Sequence, residues 1–224
     1  MPRPILLSWS SGKDSAWTLH CLRQDPSVLV VGLVTTVNAT FDRVAMHGTR
    51  RAILEAQANA LGLPLHVVPL PWPCTNAEYE SAMRQALIAA ARDGVTGMAF
   101  GDLFLADVRD YRVQLLAGTG IEPMFPIWGD DTTALAHQMI DAGLRAVVTA
   151  VDPRQVPADL AGQAFDQDFL ARLPTGADPC GENGEFHTCV LAGPMFSAPL
   201  SLQPGEVVTR DGFVFADFLL AEGQ

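Results

Sequence analysis

Residues 8–15 read Ser8-Trp9-Ser10-Ser11-Gly12-Lys13-Asp14-Ser15. They follow a short apolar run at residues 5–7 and precede a helix-forming segment at residues 16–22. This order predicts a strand, a tight turn and the start of a helix. Backbone N–H groups at such a turn can surround a phosphate, and the helix N-terminus adds partial positive charge. We therefore expect a nucleotide polyphosphate to bind here, with Lys13 supplying a full positive charge.

The turn differs from the common nucleotide P-loop. That motif has a glycine five residues before its Gly-Lys pair and Ser or Thr directly after the lysine, whereas this sequence has Leu7 and Asp14 there. The turn is instead similar to the SGGxDS turn of the PP-loop ATP pyrophosphatases, which cleave ATP between the α and β phosphates. Ser11 stands where that motif has glycine, so we expect a negative φ at Ser11, because a positive φ costs a non-glycine residue about 1 kcal/mol. A capped turn without a ligand is the alternative, since Ser and Asp are ordinary helix caps.

The composition is that of a globular protein. Of 224 residues, 49% are hydrophobic and 17% charged, and no apolar run approaches the roughly 20 residues that span a bilayer. The N-terminal residues 1–8 do not make a secretory signal, so we expect a cytoplasmic protein without membrane partners. The net charge of −11, with no compensating basic block, weighs against a nucleic-acid partner. None of the four cysteines forms a Cys-x-x-Cys pair, so no structural zinc site is expected.

Strand and helix patterns alternate along residues 1–151. This order predicts a parallel sheet with helices on both faces, whose ligands bind at the carboxyl ends of the strands. Ser8–Ser15, Thr35–Asn38 and Gly101-Asp102 all fall at the carboxyl ends of predicted strands, so we expect them to meet in one crevice.

The pattern changes after Val151. Prolines interrupt the chain, and Asp211-Gly212 separates two short apolar runs in the manner of a β-hairpin. We therefore predict an ATP-binding domain over residues 1–151 and a smaller, substrate-facing α+β region over residues 152–224.

A second polar segment reads Gly181-Glu182-Asn183-Gly184-Glu185-Phe186-His187-Thr188. Its glycines allow a ligand to approach the backbone closely. Its carboxylates can hold an amine or a metal, or act as acid or base. The alternative is a loop whose side chains cap its own backbone.

Together the two polar segments resemble the diphthine–ammonia ligase family of PP-loop ATP pyrophosphatases. The resemblance also includes Met46-His47-Gly48, Gly101-Asp102-Leu103 and Pro126-Ile127-Trp128, in the same order along the chain. It implies a doubly wound sheet of the adenine nucleotide alpha hydrolase-like (HUP) type. It also implies an AMP-forming ligase, in which ATP adenylates an acceptor carboxylate and ammonia displaces AMP to form an amide.

The sequence departs from the family pattern where the acceptor is expected to bind. Asn183 stands where the family usually has glycine, and His187 where glutamate is common. Gln114 replaces the glutamate of an Arg-x-Glu pair. The acceptor is therefore left open between a protein-borne carboxylate, which would be diphthine in an archaeal or eukaryotic source, and a small-molecule carboxylate.

The resemblance assigns roles to individual residues. Lys13, Asp14, Glu182, Glu185 and His187 are the predicted catalytic residues, the glutamates and the histidine serving ammonia or the acceptor. Asp14 and Asp102 are the candidates for holding Mg²⁺, which accompanies ATP through one or two carboxylates; the alternative is that they cap a helix or a turn. The residues predicted to bind ATP are Ser8, Ser10, Ser11, Gly12, Lys13, Ser15, Val34, Thr36, His47, Gly101, Asp102 and Arg112.

Two other functions remain open from the sequence. A PP-loop tRNA-modifying enzyme would have a basic surface and a reactive cysteine pair, and the acidic net charge weighs against it. A nucleotide-binding sensor without chemistry would have no need of residues 181–188. A homo-oligomer is compatible with the sequence.

Overall fold

The computed structural model describes residues 1–44 and 48–221. Its larger sheet is built around β1, with β2 and β5 as parallel neighbours. β4 and β6 extend it in parallel on the two sides, and the two-residue β3 is antiparallel to β2. The strands are β1 (Arg3–Ser8), β2 (Val28–Asn38), β3 (Arg43–Val44), β4 (Leu65–Leu70), β5 (Gly97–Ala99) and β6 (Glu122–Met124). The predicted fold class is confirmed.

Helices cover both faces of this sheet. They are α1 (Lys13–Gln24), α2 (Arg51–Leu61), α3 (Asn76–Arg92), α4 (Ala106–Leu116), α5 (Thr132–Asp141) and α6 (Gln167–Arg172). Because successive residues of a strand point to opposite faces, Leu6 packs in a core with Leu87 of α3, whereas Leu7 packs with Leu19 of α1 and Leu54 of α2. This explains why the strand sequences are apolar throughout. No helix within the described residues is long and apolar enough to cross a bilayer.

A second sheet is antiparallel and contains β7 (Arg145–Val151), β8 (Phe186–Ala192), β9 (Leu202–Arg210) and β10 (Phe213–Leu220), in the order β8-β7-β10-β9. The predicted hairpin is present, with Asp211 and Gly212 at φ values of 51° and 83°. β7 pairs within this second sheet although it precedes residue 152, and the domain boundary predicted there stays a prediction.

An ion-pair cluster connects the two sheets. Asp217 of β10 accepts hydrogen bonds from Arg43 at 2.7 Å and from Arg50 at 2.5 Å. Arg43 belongs to β3 and Arg50 lies directly before α2. Burial alone would raise the pKa of Asp217, but the hydrogen bonds and charges of the two arginines lower it well below its usual range. The cluster therefore stabilises the contact between the sheets only while Asp217 is ionised.

We expect Asp217→Asn to lower the free energy of unfolding at pH 7 by about 2 kcal/mol, the magnitude of hydrogen bonds to a charged group. The difference from wild type should shrink as the pH falls below about 3.9, because the unfolded state then binds the proton. Urea denaturation at several pH values measures this. Asp159→Asn is the matched control, since its partner Arg172 is exposed; equal stability of Asp217→Asn and wild type at pH 7 would contradict the role of the cluster.

Candidate functional site

The turn at residues 8–15 is fixed by a buried glutamine. Trp9 donates from its indole nitrogen to Gln57 Oε1 at 2.9 Å. Gln57 Nε2 in turn donates to the carbonyl oxygens of Ser11 at 3.2 Å and Val190 at 2.8 Å. Gln57 is fully buried on α2. Its role was not predicted, although a glutamine among the apolar positions of a predicted helix was a usable signal.

The turn also contacts β8 directly. The Val190 N–H donates to the Ser11 carbonyl at 2.9 Å, and the Lys13 N–H donates to Thr188 Oγ1 at 3.1 Å. A Cβ on Gly12 would lie 3.2 Å from the Thr188 carbonyl oxygen, tighter than nine in ten such contacts. Glycine at position 12 thus permits the close approach of the two polar segments that the sequence singled out.

Ser11 does not have the negative φ that we expected. Its φ is 72°, in the left-handed region that glycine tolerates best. The side chain is fully buried, and its Oγ lies 2.8 Å from Thr49 Oγ1. This hydrogen bond offsets part of the backbone strain, which is the physical reason that the expectation was wrong.

The turn, the end of β5 and the segment before β8 enclose a cavity of about 310 Å³. Gly101 closes one wall, where a Cβ would lie only 2.9 Å from the carbonyl carbon of Asp14. Phe213 of the hairpin also lines the cavity. The predicted site residues in its walls are Ser8, Ser10, Lys13, Asp14, Ser15, Gly101, Asp102, Arg112, Glu182 and His187.

A second cavity of about 360 Å³ adjoins the first. The residues Ser8, Ser10, Arg112 and His187 line both cavities. Val34 and Thr36, predicted to surround adenine, line only the second one, together with Tyr79 and Met83 of α3. Ser11, Gly12 and Glu185 line neither. His47 lies outside the described residues.

Lys13 is the only lysine in the sequence. Its side chain is 2% exposed, and Nζ donates to both carboxylate oxygens of Asp14, at 2.9 and 2.8 Å, and to the Cys180 carbonyl. The rings of Phe165 and Phe186 lie 5.7 and 5.4 Å from the ammonium. Burial alone would lower the pKa of Lys13, but the Asp14 charge raises it above its usual value. Lys13 therefore keeps its charge at the cavity wall.

Three carboxylates line the first cavity: Asp14, Asp102 and Glu182. Burial raises the pKa of Asp102, although Arg112, 3.5 Å away, opposes the rise. Burial also raises the pKa of Glu182 to about 7, with the charges of Asp14 and Asp102 adding to the effect. Within the described residues, no cluster of three acidic, histidine or cysteine side chains has the geometry of a metal site.

Glu182 is held by a chain of hydrogen bonds. Its Oε1 accepts from the Leu103 N–H at 2.8 Å, and its own N–H donates to Asp178 Oδ2 at 2.8 Å. The Asp178 N–H donates to Glu185 Oε1 at 2.8 Å, and Asn183 Nδ2 donates to the same oxygen at 3.1 Å. Glu185 is thus buried inside its own loop and fixes the backbone that carries Glu182.

The histidine and the two cysteines near the cavity, His187, Cys180 and Cys189, are uncharged at neutral pH. Burial, with a contribution from Lys13, lowers the pKa of His187 to about 4. Burial raises the pKa values of the Cys180 and Cys189 thiols to about 12. Neither thiol is therefore present as the thiolate that a sulfur-transfer mechanism would use.

A family model and curated relatives with diphthamide-related names are both similar to this chain. A family model described as diphthamide synthase C-terminal domain matches residues 131–215. Curated relatives named diphthine–ammonia ligase are similar over 92% of this chain. The protein from Bos taurus is 25% identical, with 85% of its length covered. The corresponding values are 25% and 89% for Danio rerio, and 26% and 85% for Homo sapiens.

We expect Ser11→Ala to destabilise the protein by about 1 kcal/mol, because the buried hydrogen bond to Thr49 is lost while the backbone strain remains. Ser11→Gly loses the same bond but relieves a strain of about 1 kcal/mol, so it should be close to wild type. Urea denaturation of the two variants measures the difference. Equal destabilisation by Ala and Gly would show that the positive φ at residue 11 carries no cost.

Proposed function

We propose that this chain, because it belongs to the diphthine–ammonia ligase family, is an ATP-dependent ligase that joins ammonia to an acceptor carboxylate as an amide. One structural observation carries this proposal. The turn at residues 8–15 and the Glu182 segment line a single cavity and contact each other through β8. An activating nucleotide and an attacking amine can therefore meet there.

The reaction has two steps. An oxygen of the acceptor carboxylate attacks the α phosphorus of ATP, the bond to the bridging oxygen breaks, and pyrophosphate leaves. Ammonia then attacks the acyl carbon, the carbon–oxygen bond to AMP breaks, and a base takes up the proton that nitrogen loses. The protein must hold the phosphates, place the acceptor next to them, and supply ammonia in its unprotonated form.

The two adjoining cavities divide the ATP molecule between them. Val34, Thr36 and Tyr79 surround the second cavity, whose size and mixed lining suit adenine. Ser10, Ser15 and the helix N-terminus at Lys13 face the first cavity, where N–H groups and hydroxyls suit the phosphates. Ser8, which lines both cavities, then lies near the α phosphate, where the bond breaks.

Asp14 and Asp102 are the residues that would hold Mg²⁺. Both line the first cavity, and a pair of carboxylates fits an ion that also binds substrate phosphates. The ion would neutralise the charge that develops on the leaving pyrophosphate. Asp14 is paired with Lys13, and binding of Asp14 to the ion would free this lysine to turn toward the phosphates.

Glu182 is the base that we assign to the amine. A carboxyl group with a pKa of about 7 exists in both protonation states near neutral pH, as proton transfer from ammonium requires. The Leu103 N–H engages only its Oε1. Glu185, predicted as catalytic, is assigned a positioning role instead, because it acts on Glu182 through Asp178.

The acceptor is a carboxylate of one of two sources. The relatives are named for diphthine, and a diphthine-bearing elongation factor 2 is the protein-borne candidate. Asn183 and His187, where this sequence departs from the family pattern, lie beside the cavity or in its wall. Because these departures lie where the acceptor is expected to bind, small-molecule carboxylates are tested in parallel.

We expect the protein with Mg²⁺, ATP, ammonium and a suitable carboxylate to release AMP and pyrophosphate. Diphthine-bearing elongation factor 2 and a panel of small-molecule carboxylates form the two arms of the assay. Coupled detection of pyrophosphate, with chromatography of the nucleotides, measures the products. Release of ADP and phosphate would contradict cleavage between the α and β phosphates.

In the same assay Lys13→Met should lose turnover and ATP binding. ATP at 100 times its Kd stabilises wild type by about 2.7 kcal/mol against unfolding, and this shift should disappear in the variant. The shift is measured against each variant's own ligand-free Tm, so that the loss of the Lys13–Asp14 pair is not mistaken for lost binding. Arg172→Met, which removes a surface cation remote from the cavity, should keep the shift.

We expect Glu182→Gln to reduce ammonium-dependent turnover by roughly 10²–10⁴-fold, the usual contribution of a general base. The wild-type rate should rise as the pH passes about 7, because the ionised carboxylate is the active form. The variant should not show this rise. Hydroxylamine is uncharged near neutral pH and needs no such base, so the variant should form hydroxamate at nearly the wild-type rate. Glu55→Gln, at an exposed position of α2, is the control; equal losses with both nucleophiles would contradict the base role.

A further inference from the structure

β9 is the free edge of the second sheet. Among the residues that the structure describes, it pairs only with β10, and residues 203–210 are exposed on both faces. Val207 is 61% exposed and Val208 is 40% exposed, although a valine pair on a strand is typical of a packed surface. An edge of this kind is a template for pairing with another chain.

The tight turn determines which backbone groups of β9 are free. Arg210 and Phe213 flank the two-residue turn and therefore form a hydrogen-bonded pair. Because the pairs alternate, Val207 and Thr209 point their N–H and C=O groups away from β10. Within the described residues these groups have no partner.

We propose that β9 pairs antiparallel with β9 of a second copy of this chain, centred on Val208. Val207 of each copy then exchanges hydrogen bonds with Thr209 of the other, and the two Val208 side chains meet at the centre. Glu206 of each copy lies opposite Arg210 of the other. Two four-stranded sheets would thus join into one continuous sheet across the dimer axis.

Charge complementarity favours this register. Glu206, Val208 and Arg210 line one cavity of about 230 Å³ together with Phe215, so they lie on one face of the strand. Neither charged side chain has an ion-pair or hydrogen-bond partner within residues 1–44 and 48–221. In the proposed pair, both charges on each strand are matched by the other copy.

The other registers leave these charges unmatched. The free backbone N–H and C=O groups belong to Val207 and Thr209. Two β9 strands can therefore pair only when one of these residues lies opposite Val207 or Thr209 of the other copy. Centring on Val207 places Glu206 opposite Val208, and centring on Thr209 places Arg210 opposite Val208. Opposite charges across an antiparallel pair contribute roughly 0.2–1 kcal/mol each, which is enough to select among registers of similar hydrogen bonding.

The length of the pairing is limited by the chain itself. Pro204 lacks an N–H group, and a bulge opposite residues 216–218 interrupts the ladder next to it. Residues 207–210 pair regularly with β10, and Glu206 adjoins the bulge. The pairing would also hold the hairpin in place beside the first cavity, because Phe213, directly opposite Arg210, lines that cavity.

A single-cysteine variant tests the proposal. In an antiparallel pair centred on Val208, the two Val208 Cα atoms lie about 4.5 Å apart, within the range of a disulfide. We expect Val208→Cys to form a covalent dimer on oxidation with diamide, which takes up the two electrons and protons. Val207→Cys is the matched control, since its two copies would be more than about 8 Å apart. The wild type, which has the native cysteines Cys21 and Cys74 partly exposed, sets the background.

Charge reversal provides an independent test. Glu206→Arg and Arg210→Glu should each weaken the dimer by placing like charges opposite each other, and the double variant should restore it. Sedimentation velocity over a concentration series measures association, and circular dichroism checks that each variant is folded. The proposal is overturned if Val208→Cys remains monomeric, if Val207→Cys cross-links equally well, or if the double variant fails to restore association. A β9 edge reserved for a peptide of another protein would give the first of these results.

Discussion

The structure depends on the contact between the turn at residues 8–15 and β8. The turn follows the central strand of one sheet, and β8 is an outer strand of the other, nearly 180 positions later. The Ser11 carbonyl accepts from Val190, and Gln57 donates to both Ser11 and Val190. Because these groups are buried, leaving any of them unpaired would cost about 1–3 kcal/mol. The turn can therefore take this shape only when the second sheet is docked.

The same contact determines the electrostatics of the cavity. Docking buries Lys13 between the Asp14 carboxylate and the Cys180 carbonyl, and it brings Glu182 next to Asp14 and Asp102. Three carboxylates and two cations, Lys13 and Arg112, then face one small volume. Such a site favours added positive charge, and both a divalent ion and ammonium carry it. Burial is the main cause of the raised pKa of Glu182, and this excess of negative charge adds to the effect.

Much of this arrangement follows from local sequence patterns. The β1–turn–α1 unit, the alternation of strands and helices, and the hairpin at Asp211-Gly212 are each specified by residues close together in the chain. Their convergence at strand ends follows from parallel topology. The cavity thus contains most of the residues predicted for it, including Lys13 and Glu182. The site roles themselves stay predictions.

The remaining features depend on contacts between distant residues. The neighbouring sequence does not indicate that Phe186–Ala192 is a strand, because this segment begins among glycines and polar residues. Its partner in the sheet is β7, which lies some 40 residues earlier. The positive φ of Ser11 depends on Thr49, and the inward orientation of Glu185 depends on Asp178 and Asn183. In each case a tertiary hydrogen bond overrides the preference of the residue itself.

Lys13, the single lysine of the sequence, also determines how amine-directed reagents can modify the protein. Since Lys13 is buried, the folded surface within the described residues presents no ε-amine to solvent. Acetylation, glycation and amine-directed labels would reach only the chain's α-amine while the native state persists. Opening the junction between the two sheets would expose Lys13, so its chemical reactivity reports directly on how often that junction separates.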